Sequence, residues 1–333
     1  MAAKRRWVVP VWEEQAGSHT PEELVSGTGP AGLRLTVRDL NILESLLDRN
    51  YLATRHLVRG GDTDGFPDRR KASERMSRLV AEGLVARAKV PAWNGDSPTA
   101  WEYAYCLTER GLDCLLLDGR GAAERIVGRW SPPFRRNSDK INLDHELAVA
   151  DLCEAITAAF PAGSLTFWVG SRSLVQRTGR GPLHQLVERS HVHPDAAVLV
   201  LVEGGMEVIL VEYEESFRPD RFAERIGAYV AYFERKDWKT RYPLAREPRV
   251  VISLSTRADR QRYSSSPFQH ALSVVEHLAP KLWAVSRNLY LMAEEEWRRG
   301  DLGFVEVGPA HVRRSLGEVV PLLASRPAQL LRQ

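Results

Sequence analysis

Val37, Leu40, Leu43 and Leu47 recur three to four residues apart behind Thr36, which predicts an amphipathic helix with Thr36 as its N-cap. Tyr51 to Arg59 reads as a second, short helix, broken by Gly60, Gly61, Asp62 and Gly65. Pro67 or Asp68 opens a third helix that runs to Gly83. In it Met76, Leu79 and Val80 point inward, while Arg69, Arg70, Ser73 and Arg78 point out. Leu84 to Arg87 predicts a strand, Trp93-Asn94-Gly95-Asp96 a turn, and Trp101 to Leu107 the returning strand. Thr108-Glu109-Arg110-Gly111 then caps another helix. Over residues 34–117 this is the layout of a winged helix-turn-helix, with the hairpin as its wing.

The flanks differ. Residues 1–33 carry Pro10, Pro21 and Pro30 with several glycines, and read as an irregular arm. Residues 118–140 hold Arg120, Arg125, Arg129, Arg135, Arg136 and Lys140, with Pro132-Pro133 stiffening them. This is a basic linker, which either tracks phosphates or serves as a solvated tether.

In the second half, Asn142 to Phe160 shows an apolar face of Val149, Leu152, Ile156 and Phe160. Leu165 to Val169 is a short strand. His193 to Val202 and Met206 to Tyr213 are apolar runs separated by Glu203-Gly204-Gly205, a hairpin signature. Pro219 to Arg235 is a helix, Arg249 to Ser255 a strand, Pro267 to Leu278 a helix and Asn288 to Met292 a last strand. The order predicts a mixed sheet flanked by helices over residues 141–305, with residues 306–333 as a terminal helix or tail. The expected fold class is α+β.

Composition narrows this reading. A chain of 333 residues suits two domains, and a hydrophobic fraction of 44% is enough for packed cores. A net charge of +3 does not by itself argue for nucleic acid. The crowding of Arg69, Arg70, Lys71, Arg75 and Arg78 into one helix does. Cys106, Cys114 and Cys153 are odd in number and lack metal spacing, so buried thiols in a reducing compartment are expected. No run approaches a membrane span, and Lys4-Arg5-Arg6 with Trp7-Val8-Val9-Pro10 is too short for a signal peptide. The expected location is cytoplasmic.

Two sets of residues carry candidate chemistry. A helix with an arginine-rich amino-terminal half has the size to enter a DNA major groove. The candidate contacts to double-stranded DNA are Arg69, Arg70, Lys71, Ser73, Arg75, Arg78 and, on the wing, Arg87. In the second half, Pro194-Asp195 opens one hairpin strand and Glu212-Tyr213-Glu214 ends the other. Period-two geometry puts Glu212 and Glu214 on one face, strand pairing can bring in Asp195, and Glu146 can approach from the preceding helix. Converging carboxylates need a cation or a proton between them, and magnesium is the candidate. The alternative is that these acids are ordinary strand-end residues.

The order of these acids resembles the core of the PD-(D/E)XK nuclease superfamily. That resemblance implies a metal held by Asp195 and Glu212, with Glu146 as a further ligand. A lysine is expected two positions after the glutamate, where this chain has Glu214. Arg225 or Lys236 is a candidate replacement cation from the following helix.

Other residues admit two readings. His145 is either a base or a buried, hydrogen-bonded histidine. His191 and His193 share a strand face, as metal ligands or as plain surface residues. Gly179-Arg180-Gly181 with Arg177 is a phosphate contact or a turn. Tyr229, Tyr232 and Phe233 stand at core spacing, and Trp93 and Trp101 lie on the wing.

Both halves together resemble the replication-relaxation family of plasmid and mobile-element proteins. The resemblance rests on Gly83-Leu84-Val85, Leu107-Thr108-Glu109-Arg110-Gly111, the stretch His145 to Asp151, Pro194-Asp195, Leu210 to Glu214, and Arg221 to Lys236. It implies DNA binding linked to plasmid replication, topology or transfer. The leading expectation is therefore a DNA-binding protein whose restriction-endonuclease-like second domain, with candidate catalytic residues Asp195, Glu212 and Glu214, is degenerate. The alternatives are a magnesium-dependent endonuclease, and a regulator whose second domain binds a protein partner. A homodimer is also open.

Overall fold

In the computed structural model the described residues are 11–27, 34–58, 65–92, 101–120, 132–133, 143–160, 164–171, 192–202, 205–215, 217–236, 247–255, 271–274, 288–298, 303–306 and 313–315. The chain is α+β and divides into two compact units, Met1–Ala150 and Asp151–Gln333, each with one sheet.

In the first unit α2 (Val37–Arg49) follows α1 (Pro21–Ser26). Thr36 caps α2 reciprocally: its hydroxyl accepts the Asp39 N–H at 3.3 Å, and the Asp39 carboxylate accepts the Thr36 N–H at 2.7 Å. Leu40, Leu43, Leu46 and Leu47 are buried. Val37, expected to begin the apolar stripe, is 70% exposed because it stands a turn ahead of the first core layer. Asn50, at φ 64°, then turns the chain into the sheet.

The helix expected over Tyr51 to Arg59 is instead a two-residue strand, β2 (Leu52–Ala53), and a single 3-10 turn (Thr54–Leu57). Tyr51, Leu52, Ala53, Thr54, His56 and Leu57 are all buried. A segment buried on every side has no polar face and so no period to read. Helix α3 (Arg69–Ala81) starts from Asp68, whose side chain accepts the Lys71 N–H at 2.8 Å. It buries Ala72, Met76, Leu79 and Val80. It stops in a Schellman motif: Gly83, at φ +69°, bonds Val80, and Leu84 bonds Leu79.

Strands β3 (Val85–Pro91) and β4 (Trp101–Leu107) pair antiparallel, and Thr108 caps α4 (Glu109–Leu117). The turn expected at Trp93 to Asp96 lies outside the described residues. The arm expected to be irregular contributes two elements. In β1 (Trp12–Glu13), Trp12 pairs with Ala88 and Glu13 with Arg87, and α1 buries Leu24 completely. The cause is a Thr20–Glu23 capping box with Pro21 in the first turn.

The division between the units falls inside α5 (Leu143–Ala158). The expected apolar residues Val149, Leu152, Ile156 and Phe160 are buried, and Asp144, His145, Glu146, Asp151, Glu154 and Thr157 are half-buried. Of the basic linker, residues 121–131 and 134–140 lie outside the described residues. Arg120, at its start, is tied back to Asn41 and Glu44 of α2 at 3.0 and 2.9 Å.

The second unit holds a seven-stranded mixed sheet. Its strands are β5 (Leu165–Gly170), β6 (Ala196–Val202), β7 (Gly205–Glu214), β8 (Arg249–Leu254), β9 (Leu289–Ala293), β10 (Gly303–Glu306) and β11 (Arg313–Ser315), side by side in chain order. Pairs β7–β8 and β8–β9 are parallel and the rest antiparallel. Helix α6 (Pro219–Glu234) lays Phe222, Ile226, Tyr229, Val230 and Phe233 on the face formed by Ala197, Leu199, Val208, Leu210, Val250 and Ile252. The strand at 289–293 is not the last. Helix α7 (Glu294–Arg298) and two further strands follow it, so the expected tail 306–333 supplies β11 to the sheet. Of the helix expected over Pro267 to Leu278, only 271–274 are described, and they are helical. Cys106, Cys114 and Cys153 are buried free thiols.

Candidate functional site

Helix α3 sorts its polar residues by position around the axis. Arg69, Arg70, Lys71 and Arg78 are exposed and Ser73 is half-buried. Arg69, Lys71 and Arg78 have no ion pair among the described residues, while Arg70 reaches Glu74 at 3.2 Å, one turn on. An exposed pair of this kind leaves the guanidinium available.

Arg75 and Arg87 sit differently from the other residues predicted to contact DNA. Arg75 turns back into the fold. Its Nε donates to Asp39 Oδ1 at 2.7 Å, its Nη2 contacts Asp39 Oδ2, and Nη2 also donates to the Arg34 carbonyl at 3.1 Å. Asp39 is only 1% exposed, so this fork supplies a buried carboxylate with its counter-charge. Arg87 donates to Glu13 Oε2 at 2.8 Å and lies over the Tyr103 ring. Both arginines are thus committed within the unit.

The Arg75–Asp39 pair sets a stability expectation. Burial pushes the Asp39 carboxyl up, but the bonds from Arg75 and Thr36 outweigh it and hold the group below its ordinary value. A depressed carboxylate contributes stability above its unfolded value and loses it as pH falls through the folded one. Arg75→Met should cost about 3–5 kcal/mol at neutral pH, because Asp39 would keep its charge without a partner. Urea unfolding of variant and wild type at pH 7 checks this, and equal midpoints would mean the pair stabilises nothing.

The acids of the second unit converge. Ala196 pairs with Val211, so the next step along the register sets Asp195 opposite Glu212. Asp195 accepts the Tyr213 N–H at 2.8 Å. Glu212 and Glu214 face α6, where Arg225 and Tyr229 stand one turn apart. Arg225 Nη1 lies 2.6 Å from Glu214 and 3.5 Å from Glu212. The Tyr229 hydroxyl donates to Glu212 Oε1 at 2.6 Å.

Electrostatics follow from this geometry. Glu212 is 2% exposed. Burial, and then the Asp195 charge, push its carboxyl up to about 8 against the pull of Arg225 and Tyr229. Burial and the Glu212 charge raise the Tyr229 phenol well above its usual range. Burial would lower the Arg225 guanidinium, but the surrounding carboxylates raise it. Burial thus favours the protonated form of Glu212, and Arg225 offsets one of the remaining carboxylate charges. A divalent cation would have to displace Arg225, so the residues do not fit a magnesium ion as they stand. No group of three or more His, Cys, Asp or Glu among the described residues is arranged to hold a metal.

Arg225 is readable from the sequence as a candidate cation, and it arrives. Lys236 is exposed at the end of α6, at φ 53°. From the sequence Tyr229 reads only as core packing. Its i, i+4 spacing from Arg225 is the signal that its hydroxyl shares the acids' side. His145 is half-buried on α5, His193 is exposed, and His191 and residues 177–181 lie outside the described residues.

The fold and these two polar sites define an α+β protein with a basic helix in one unit and, in the other, a cluster of acids faced by one arginine. Residues 43–247 match the family model described as replication-relaxation. The chain belongs to the replication-relaxation family, since the match spans well over half of it. No curated protein and no solved structure matches it. Among the described residues no helix is long and apolar enough to cross a membrane.

Proposed function

We propose that the chain is a DNA-binding protein of a replicating plasmid or mobile element. In this reading the first unit is a winged helix-turn-helix that docks α3 in the major groove of duplex DNA. The observation that carries the reading is the row of exposed cations on α3, three of which have no ion pair among the described residues. Arg69, Arg70 and Arg78 are the proposed contacts to phosphates and guanine edges, with Lys71 and Ser73 beside them. Arg75 holds α3 in place rather than touching DNA.

The test is a gel shift at fixed salt. Arg69→Ala with Arg70→Ala should weaken duplex binding by about 1–3 kcal/mol for each base edge that is no longer read. If the two arginines hold phosphates alone, the salt slope should instead fall by about 0.9 for each phosphate released. Unchanged affinity and slope would remove α3 as the reader.

The second unit, in the same reading, is a restriction-endonuclease-like domain that does not cut. Arg225 pairs with Glu212, one of the acids that a nuclease would give to its metal, and bonds Glu214, which stands where the catalytic lysine belongs. Supercoiled plasmid incubated with the protein in magnesium or manganese should stay intact. Cleavage that vanishes in Asp195→Ala plus Glu212→Ala would promote the endonuclease reading instead.

A further inference from the structure

The outer face of the β3–β4 hairpin carries a ladder that the proposed function leaves unused. The backbone register pairs Arg87 with Tyr105, Lys89 with Tyr103 and Pro91 with Trp101. These residues alternate with Ala86, Ala88, Val90, Ala104 and Cys106, which are buried. Across the diagonals, the Arg87 guanidinium lies 4.6 Å from the Tyr103 ring centroid, and Lys89 Nζ lies 5.3 Å from that of Trp101. Tyr103 stands 6.4 Å from Tyr105. Rings and cations therefore alternate from Tyr105 outward.

The two ends of this ladder differ. At the inner end Tyr105 is buried beside Thr54, and Glu13 neutralises Arg87. At the outer end Trp101 is 48% exposed, Tyr103 half-buried and Lys89 exposed. Lys89 has no ion pair among the described residues. The outer end thus offers an uncompensated cation beside an open indole.

We propose that this face is a stacking platform for single-stranded DNA, with unpaired bases on Trp101 and Tyr103 and a phosphate on Lys89. Rings two residues apart on one strand stand about 6.8 Å from each other. That is roughly twice the 3.4 Å spacing along a stacked strand. The spacing suits a strand drawn out of its own stacking, and a duplex keeps its bases out of reach of such rings. Aromatic rings interleaved with cations are the combination that holds bases without reading their sequence. A protein partner would need a broader apolar surface than one indole. The proposal rests on the first unit being a DNA-binding one, but it uses different residues from those of α3.

The test measures anisotropy of a labelled oligo-dT strand and of a labelled hairpin duplex with the full chain at fixed salt. Wild type should bind oligo-dT. Trp101→Ala should weaken that binding about five- to 150-fold, the equivalent of roughly 1–3 kcal/mol per stacked base. Trp101→Phe should keep most of the affinity, and Lys89→Ala should flatten the salt dependence by about 0.7 in slope. Duplex affinity should not respond to Trp101→Ala, and Arg69→Ala with Arg70→Ala should spare oligo-dT. Wild type that ignores oligo-dT overturns the proposal, as does a Trp101→Ala protein with native circular dichroism and undiminished binding. If oligo-dT binding needs Trp101 while duplex binding ignores Arg69 and Arg70, the α3 reading fails and the platform stands.

Discussion

Glu212→Gln should produce a folded protein that is more stable than wild type in mild alkali. The carboxyl sits at about 8 in the folded state against an ordinary value of 4.5, chiefly because it is buried and secondly because Asp195 is near. The folded chain thus holds this proton more tightly than the unfolded chain does. The stability it contributes is complete below the unfolded value, and is lost as pH rises through the folded one. The full span corresponds to about 3–5 kcal/mol. Glutamine mimics the protonated acid in shape and carries no such dependence. Urea unfolding of both proteins at about pH 5 and pH 9 should therefore give similar stabilities in acid and a clear advantage for the variant in alkali. A variant less stable than wild type at the higher pH would show that Glu212 is ionised and satisfied in place.

Gly83→Ala should be among the most damaging single-methyl changes in the first unit. At φ +69° the backbone is left-handed, and an added Cβ would stand 2.2 Å from the Gln15 carbonyl oxygen. Gly17 faces it in the same way, at φ +76° and 2.3 Å from the Glu82 carbonyl oxygen. The two backbones lie against each other, and Glu82 fastens them by accepting bonds from the Ser18 and His19 N–H groups at 3.1 and 3.3 Å. Conformational strain of about 1–2 kcal/mol and about 1–3 kcal/mol more from overpacking give an expected loss of roughly 2–5 kcal/mol. Gly119 is the control. It has φ +71°, yet its added Cβ would meet nothing within 4 Å, so Gly119→Ala should show the conformational cost alone. Thermal unfolding of the two variants separates these effects, and equal losses would mean that the Gln15 backbone yields freely.

What the sequence disclosed follows from how locally each feature is encoded. The caps Thr36, Asp68 and Thr108 bond N–H groups three residues ahead, so a short window contains both donor and acceptor. The β6–β7 hairpin is likewise written in adjacent residues. The meeting of Asp195 with Glu212 follows from its register, and the approach of Arg225 from one helical turn. Features set by burial are hidden. The stretch from Tyr51 to Leu57 is buried almost throughout, so its pattern carries no period. Strand β11 depends on β10 for its edge, and nothing within Arg313–Ser315 announces it. The arm reads as irregular because Pro10, Pro21 and Pro30 outweigh the Thr20–Glu23 box. The roles of Arg75 and Arg87 are also out of the sequence's reach, since Asp39 and Glu13 meet them only in the folded unit.

The change from antiparallel to parallel pairing at β7 bears on how the second unit assembles. Val202 pairs with Gly205, so β6 and β7 zip from a closure that spans a few residues. Ile209 must find Arg249 on β8, with all of α6 in the intervening chain. The entropy of closing a loop rises with its length, so the β6–β7 hairpin can form early and cheaply, while β8 and β9 wait for α6 to dock. Until then β7 is an open edge with Glu212 in water, where its carboxyl has the ordinary value of the unfolded chain. Proton uptake by Glu212 therefore belongs to the late step of folding, and the rate of that step should carry the pH dependence.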